Sequence, residues 1–181
     1  VEARQFELVQ ELTDNVELPV QVTIASGFPK GDKLEFIAQK VTELGASQIW
    51  AFPADWSVAK WDGKKLGKKV EKLEKIALGA AEQSKRNLVP SIKLFEKKGD
   101  FLAQLDQFDR IVVAYEESAK EGEAAALLQA VSGLEKGAKL LFIFGPEGGL
   151  SPAEIESFEA KGAVLAGLGP RILRAETAPL Y

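Results

Sequence analysis

Lys139-Leu140-Leu141-Phe142-Ile143-Phe144-Gly145-Pro146-Glu147-Gly148-Gly149-Leu150-Ser151-Pro152-Ala153-Glu154 is the stretch whose pattern decides the fold. Lys139 to Phe144 is almost continuously apolar. That pattern belongs to a strand buried on both faces, and so to a parallel sheet covered by helices. Gly145 to Gly149 then interrupts the strand. Ser151, Pro152 and Glu154 announce a helix: Ser151 suits the N-cap, Pro152 the first helical position, and Glu154 completes a capping box. Strand, glycine loop and helix in this order form one unit of an α/β fold.

The alternation continues in both directions. Upstream, Val20 to Ala25 is β-branched and apolar, as in a buried strand. Leu34, Ile37, Val41 and Leu44 recur at helical spacing, and Gly45 is placed to end that helix. Gln48 to Pro53 is a second strand, followed by a polar loop, Ala54 to Gly63, carrying Trp56 and Trp61. Leu66, Val70, Leu73, Ile76, Ala77 and Ala80 form the apolar face of a long helix that ends near Asn87, before Pro90. Short strands are expected at Ser91 to Phe95 and Arg110 to Tyr115, with a short helix around Phe101, Leu102 and Leu105 between them. Glu116 to Glu123 is an acidic loop and Ala124 to Val131 a helix. Downstream, Gly162 ends the capped helix and Ala163 to Leu168 is a last strand. Val1 to Glu17 alternates weakly, like a strand followed by a turn. The whole predicts a mostly parallel sheet flanked by helices, without internal repeats.

Composition narrows the chemistry. The 181 residues include no cysteine and no histidine. Disulfides, thiolate nucleophiles and Ser-His or Cys-His pairs are excluded, as is a zinc site built on those ligands. No metal is expected; a carboxylate-only Mg²⁺ site is the one kind the residue types allow. A general acid or base must be Asp, Glu, Lys, Tyr or water. No apolar run approaches the ~20 residues of a membrane span, and the N-terminal residues do not resemble a signal peptide, so a cytoplasmic protein without a membrane partner is expected. The first residue is Val rather than Met, as expected of a piece of a longer chain. Net charge is −4, yet the segment from Lys60 to Arg86 holds nine basic and four acidic residues. Such a basic element on an acidic body can attract phosphates, or it can be a solvated helix face.

Two segments stand where strands end, Gly145 to Gly149 and Gly167 to Thr177. Ligands of open α/β sheets bind at the carboxyl ends of strands, and glycine lets the backbone approach them. A tight strand-to-helix turn would need the same glycines. Known nucleotide loops fit poorly: there is no Gly-Lys-Ser/Thr, the spacing is not G-x-G-x-x-G, and Glu147 would repel a pyrophosphate. A ligand without phosphates and with a positive centre, such as S-adenosylmethionine, suits the loop better. In the second segment Arg171, Arg174, Glu176 and Thr177 fall within seven residues, either as a site or as a helix start with its dipole complemented.

Phe144-Gly145-Pro146-Glu147-Gly148-Gly149-Leu150-Ser151 with Glu154, together with Leu168-Gly169-Pro170-Arg171-Ile172-Leu173-Arg174 and Glu176-Thr177-Ala178, resembles the paired signatures of the 16S ribosomal RNA uridine-N3 methyltransferases (RsmE type) of the SPOUT superfamily. Lys30-Gly31-Asp32-Lys33 with Gln39-Lys40 and Glu43-Leu44-Gly45, and Ala81-Glu82-Gln83-Ser84 with Arg86-Asn87 and Pro90, match the same family. The resemblance runs from about residue 20 to residue 181.

It implies a SPOUT-type methyltransferase domain over residues 19–181, with a C-terminal trefoil knot. Residues 1–18 would be the last strand of an N-terminal PUA-like β-barrel that binds RNA, and a helix beyond Tyr181 would thread the knot. It further implies a homodimer, and 16S ribosomal RNA or the small ribosomal subunit as partner. S-adenosylmethionine would lie against Tyr115 and Glu116, against Gly145, Pro146, Glu147, Gly148 and Gly149, and against Leu168, Gly169, Ile172 and Leu173. Methylating N3 requires loss of its proton. Glu176 is the first candidate helper and Glu147 the second, with Arg171 or Arg174 stabilising the uracil anion. Lys64, Lys68, Lys72, Lys85, Arg86 and Asn87 are the expected RNA contacts. The absence of cysteine favours nitrogen over carbon-5 methylation, which commonly proceeds through a cysteine adduct. A ribose 2′-oxygen methyltransferase and a non-catalytic RNA-binding domain are the alternatives.

Overall fold

A computed structural model describes residues 7–10, 15–115 and 124–181, with the side chains of 124–126 left undescribed. Its elements follow the predicted order with small shifts at their ends. Strand β1 (Gln21–Gly27) leads to helix α1 (Lys33–Glu43), β2 (Gln48–Phe52) and the long α2 (Gly63–Gln83). Then come β3 (Ser91–Leu94), α3 (Lys98–Leu102), a 3-10 turn (Leu105–Gln107) and β4 (Arg110–Ala114). Helix α4 (Ala124–Val131), β5 (Lys139–Phe144), α5 (Pro152–Glu159), β6 (Val164–Ala166) and a second 3-10 turn (Ala178–Leu180) complete the chain.

The six strands form one parallel sheet in the order β3-β2-β1-β5-β4-β6. Strand alternation splits the core into two layers, because successive side chains point to opposite faces. On one face Ala25, Trp50, Phe52, Val113, Leu141 and Ile143 pack with Phe101 of α3 and Ile155 and Phe158 of α5. On the other, Ile24, Ile49, Ala51 and Phe144 meet Leu34, Ile37 and Val41 of α1 and Leu66 and Leu73 of α2. Ala130 of α4 covers Val112, Leu140 and Ala166 on that second face. Strand β5 is thus covered on both sides, as its unbroken apolar run requires.

Strand order reverses around β5. The chain steps outward from β1 through β2 to β3, then returns to place β5 between β1 and β4. The crevice beyond the carboxyl end of such a strand is where open α/β sheets hold ligands.

The described residues 7–10 and 15–19 carry no strand, unlike the expectation for Val1 to Glu17; the rest of that stretch, and the acidic loop Glu116 to Glu123, lie outside the described residues. Instead, Glu17 is fastened to the domain. Its carboxylate pairs with Arg86 and accepts from the backbone N–H of Asn87 and of Leu88 at 3.0 and 3.1 Å. Leu18 packs over Gly45, where an added Cβ would lie 2.8 Å from its Cγ.

Candidate functional site

The predicted capping box forms. Ser151 Oγ accepts from Glu154 N–H at 3.2 Å, and Glu154 Oε2 accepts from Ser151 N–H at 2.9 Å. The free end of Glu154 reaches across the fold, where Oε1 accepts from the backbone N–H of Asp55 at 2.9 Å. Ser151 Oγ donates to Asp55 Oδ2 at 2.6 Å, and Lys98 pairs with the other Asp55 oxygen. Glu154 is buried and fully hydrogen-bonded, so it locks the loop after β2 onto the glycine loop after β5.

The glycine loop is a tight turn in which Gly149 N–H donates to Pro146 C=O at 2.8 Å. Gly145 is required by close approach: a Cβ there would stand 2.8 Å from the Gly149 carbonyl carbon. This turn, the end of β4 and the segment after β6 enclose a cleft of about 770 Å³, a size typical of small-molecule sites. Its lining includes Tyr115, Gly145, Pro146, Glu147, Gly148, Gly149, Leu168, Gly169, Ile172 and Leu173, so every described residue expected to hold the cofactor faces one space. Glu116 lies outside the described residues.

Arg171 and Arg174 line the same cleft, are exposed, and have no ion-pair partner among the described residues. Glu147 also lines it. Glu176 does not; it sits against Lys33, a residue to which the sequence alone assigned no role. Lys33 Nζ lies 2.9 Å from Glu147 Oε1 and 3.2 Å from Glu176 Oε2. The second contact is an ion pair without hydrogen-bond alignment, and that oxygen is otherwise buried and unpartnered. Burial pushes the Glu147 carboxyl up, but hydrogen bonds from Lys33 and backbone N–H groups prevail and hold it below the usual carboxylate range. A backbone hydrogen bond, followed by Lys33 and Arg174, holds Glu176 low. Glu147 and then Glu176 raise Lys33 above its ordinary value. The triad is therefore ionised at neutral pH.

The expected RNA contacts divide. Lys64, Lys68, Lys72 and Lys85 are exposed on or beside α2, and Lys72 lies 3.1 Å from Glu35. Asn87 is exposed too. Arg86 is not available: its side chain is 4% exposed. The guanidinium pairs with Glu17 and donates to Thr42 C=O at 2.9 Å and Ala46 C=O at 2.7 Å. Its phosphate-binding role is corrected to a buried tie, because a desolvated guanidinium must keep these partners. Besides Lys33, Trp56 and Asp55 went unassigned in the sequence. Trp56 lines the cleft and is half exposed. An aromatic residue in a polar loop was its only signal.

The sequence model of the RNA methyltransferase domain matches residues 16–181. The chain is 53% identical over 174 residues to ribosomal RNA small subunit methyltransferase E of Bacillus subtilis (strain 168), covering 96% of this chain and 68% of that one. A crystal structure of a hypothetical protein matches with a TM-score of 0.84 at 50% identity, over 95% of this chain and 67% of the other. Ribosomal RNA small subunit methyltransferase E from Neisseria gonorrhoeae, crystallised bound to S-adenosyl methionine, matches with a TM-score of 0.74 at 27% identity, over 95% and 68% of the two chains. With the glycine loop, the paired C-terminal signature and the shared cleft in place, this chain belongs to the ribosomal RNA small subunit methyltransferase E family of RNA methyltransferase domains.

Proposed function

We propose that this domain methylates N3 of a uridine in 16S ribosomal RNA, using S-adenosylmethionine. The observation that carries the reading is the cleft itself. Three loops from the adjacent strands β5, β4 and β6 meet there, with the guanidinium groups of Arg171 and Arg174, which have no ion-pair partner among the described residues, on its wall. The backbone cradle fits the cofactor: Gly145 leaves no room for a Cβ and the volume suits a nucleoside. When bound, the cofactor supplies an electrophilic methyl group on sulfur.

The protein's task is to present uracil N3 and to manage its proton. Uracil must leave its stack to enter the cleft. Arg171 and Arg174 stabilise the negative charge that develops on the uracil carbonyl oxygens as the N3 proton leaves. Glu147 faces the cleft and is the better placed proton acceptor, ahead of Glu176, which acts through Lys33. Held below the usual range, both carboxylates are weak bases, so the arginines carry more of the work. Lys64, Lys68, Lys72, Lys85 and Asn87 engage the RNA backbone.

The same reading includes a C-terminal trefoil knot and a homodimer. Ile172 and Tyr181 expose apolar surface beside the cleft that a second copy would cover. In that reading residues 1–18 are a remnant or last strand of a PUA-like RNA-binding β-barrel and residues 19–181 are the SPOUT domain. Among the described residues no helix is long and apolar enough to cross a membrane; a ribosomal RNA substrate is consistent with action in the cytoplasm.

Calorimetric titration with S-adenosylmethionine, with ATP and NAD as controls, tests the first half. Methylation of small ribosomal subunits from cells lacking the activity, followed by nucleoside analysis, tests the second. Selective binding and 3-methyluridine are expected. A 2′-O-methylated nucleoside would replace the N3 assignment, and no cofactor binding would remove the enzymatic reading.

A further inference from the structure

Trp56 stands apart from the other two tryptophans. Trp50 is buried among Phe95, Phe101 and Phe108, and Trp61 packs on Phe28 with Lys69 over its ring. Trp56 is 50% exposed as a residue, and its indole has no aromatic partner among the described residues, although it borders the cleft. Its position at the cleft edge, rather than its exposure alone, makes the indole available to a ligand there.

Its backbone is unusually well held. The preceding residue, Asp55, is tied to Glu154, Ser151 and Lys98. The following residue, Ser57, is tied to Ala54 through its N–H to Ala54 C=O at 3.0 Å and through its Oγ, which accepts from Ala54 N–H at 3.2 Å. Behind Trp56 lies the glycine turn: a Cβ on Gly148 would sit 3.0 Å from Trp56 Cβ and 3.2 Å from its carbonyl oxygen. The residue is thus clamped against the turn with half its surface open, a preorganised flat surface rather than a loose loop side chain.

Its place in the sheet sets it at the edge of the cofactor cradle, backed on the glycine turn. That cradle is built from β5, β4 and β6, whereas Trp56 follows β2, on the far side of β1. Trp56 therefore borders the cleft from the side opposite Tyr115 and Leu168, with Lys33, Arg171 and Arg174 sharing the lining. An exposed aromatic face beside guanidinium groups is a combination that holds an unstacked base of an RNA.

Resting on the proposed function above, we propose that Trp56 is the stacking platform for the extruded target uracil. Its indole replaces the base stacking lost on flipping and presents the ring to Arg171 and Arg174.

The test compares wild type with W56A, W56F and W56L. S-adenosylmethionine affinity is measured by calorimetry, and single-turnover methylation is followed over a range of concentrations of small ribosomal subunits from cells lacking the activity. Base–aromatic stacking corresponds to about 5- to 150-fold per base on removal. W56A is expected to lose that much in the rate at saturating subunits, because flipping follows docking, while cofactor affinity stays within about twofold. W56F should recover most of the loss, and W56L, equally apolar but without a π face, should not. An unchanged W56A rate, weakened cofactor binding, a change in KM alone, or W56L equal to W56F would each overturn the assignment. A wild-type chain that binds cofactor and methylates subunits while W56A does the same sinks this inference alone. A wild type that does neither sinks the proposed function and this inference with it.

Discussion

Replacing Arg86 with alanine separates a structural arginine from an RNA-binding one. In the fold the guanidinium serves the Glu17 carboxylate and three backbone carbonyls, Thr42 at 2.9 Å, Ala46 at 2.7 Å and Gly45 at 3.4 Å, with its side chain 4% exposed. Removing one partner of a buried pair typically costs about 3–5 kcal/mol. Glu17 retains the N–H groups of Asn87 and Leu88 and is 18% exposed, so water can reach it. Those features set the expectation at the lower end, about 3 kcal/mol. For a chain of this size that is roughly 6–12 °C in Tm. R86K should recover only part of the loss, since an ammonium cannot match the planar fork that reaches the Glu17 carboxylate and three carbonyls. Urea unfolding followed by circular dichroism measures the stability, and filter binding to small-subunit RNA across a salt series measures the other role. The reasoning fails if R86A unfolds within about 0.5 kcal/mol of wild type while its RNA affinity and salt slope fall.

Four further outcomes follow from the same geometry. The Glu17 carboxyl lies below its ordinary 4.5, first through its hydrogen bond from Arg86, and Glu35, Asp55, Glu147 and Glu176 are also depressed. A depressed carboxyl contributes stability above its unfolded pKa and loses it as pH falls through the folded one; urea midpoints should therefore decline below about pH 4.5, less steeply in E17Q, and an unaltered acid limb in E17Q would contradict the pairing. Gly145→Ala forces a Cβ against Gly149 backbone. At about 1–3 kcal/mol of strain, cofactor affinity should fall roughly 5- to 150-fold with the far-ultraviolet spectrum unchanged. R171A and R174A should each lower the single-turnover rate by about 10²–10³; unchanged rates in both would remove them from the chemistry. Charge reversal at Lys64 and Lys68 should weaken RNA binding and reduce its salt slope by about one unit per lost contact, whereas a solvated face would leave both as they are.

Where sequence and structure agree, the governing forces are local. Helix α5 was legible because Ser151, Pro152 and Glu154 satisfy one another within a single turn. Strand β5 was legible because a strand covered on both faces cannot alternate. The cleft-lining residues were legible as far as glycine loops mark strand ends, and the fold then brings Tyr115, Gly145 and Leu168 to one cleft.

What sequence alone could not decide were pairings across long separations. Arg86 lay in a basic run and read as a surface cation, yet it is buried against Glu17, sixty-nine residues earlier. Lys33 carried no local sign of joining Glu147 to Glu176. Glu154 was readable as half of a capping box, but not as the anchor that holds Asp55 and with it Trp56. The sequence by itself determined the alternation of strands and helices, the capped helix and the two glycine-bearing loops, since these depend on residues within a turn of one another. Only the tertiary structure decided which charges are spent internally and which remain for a substrate, because burial and Coulomb partners are properties of the packed chain.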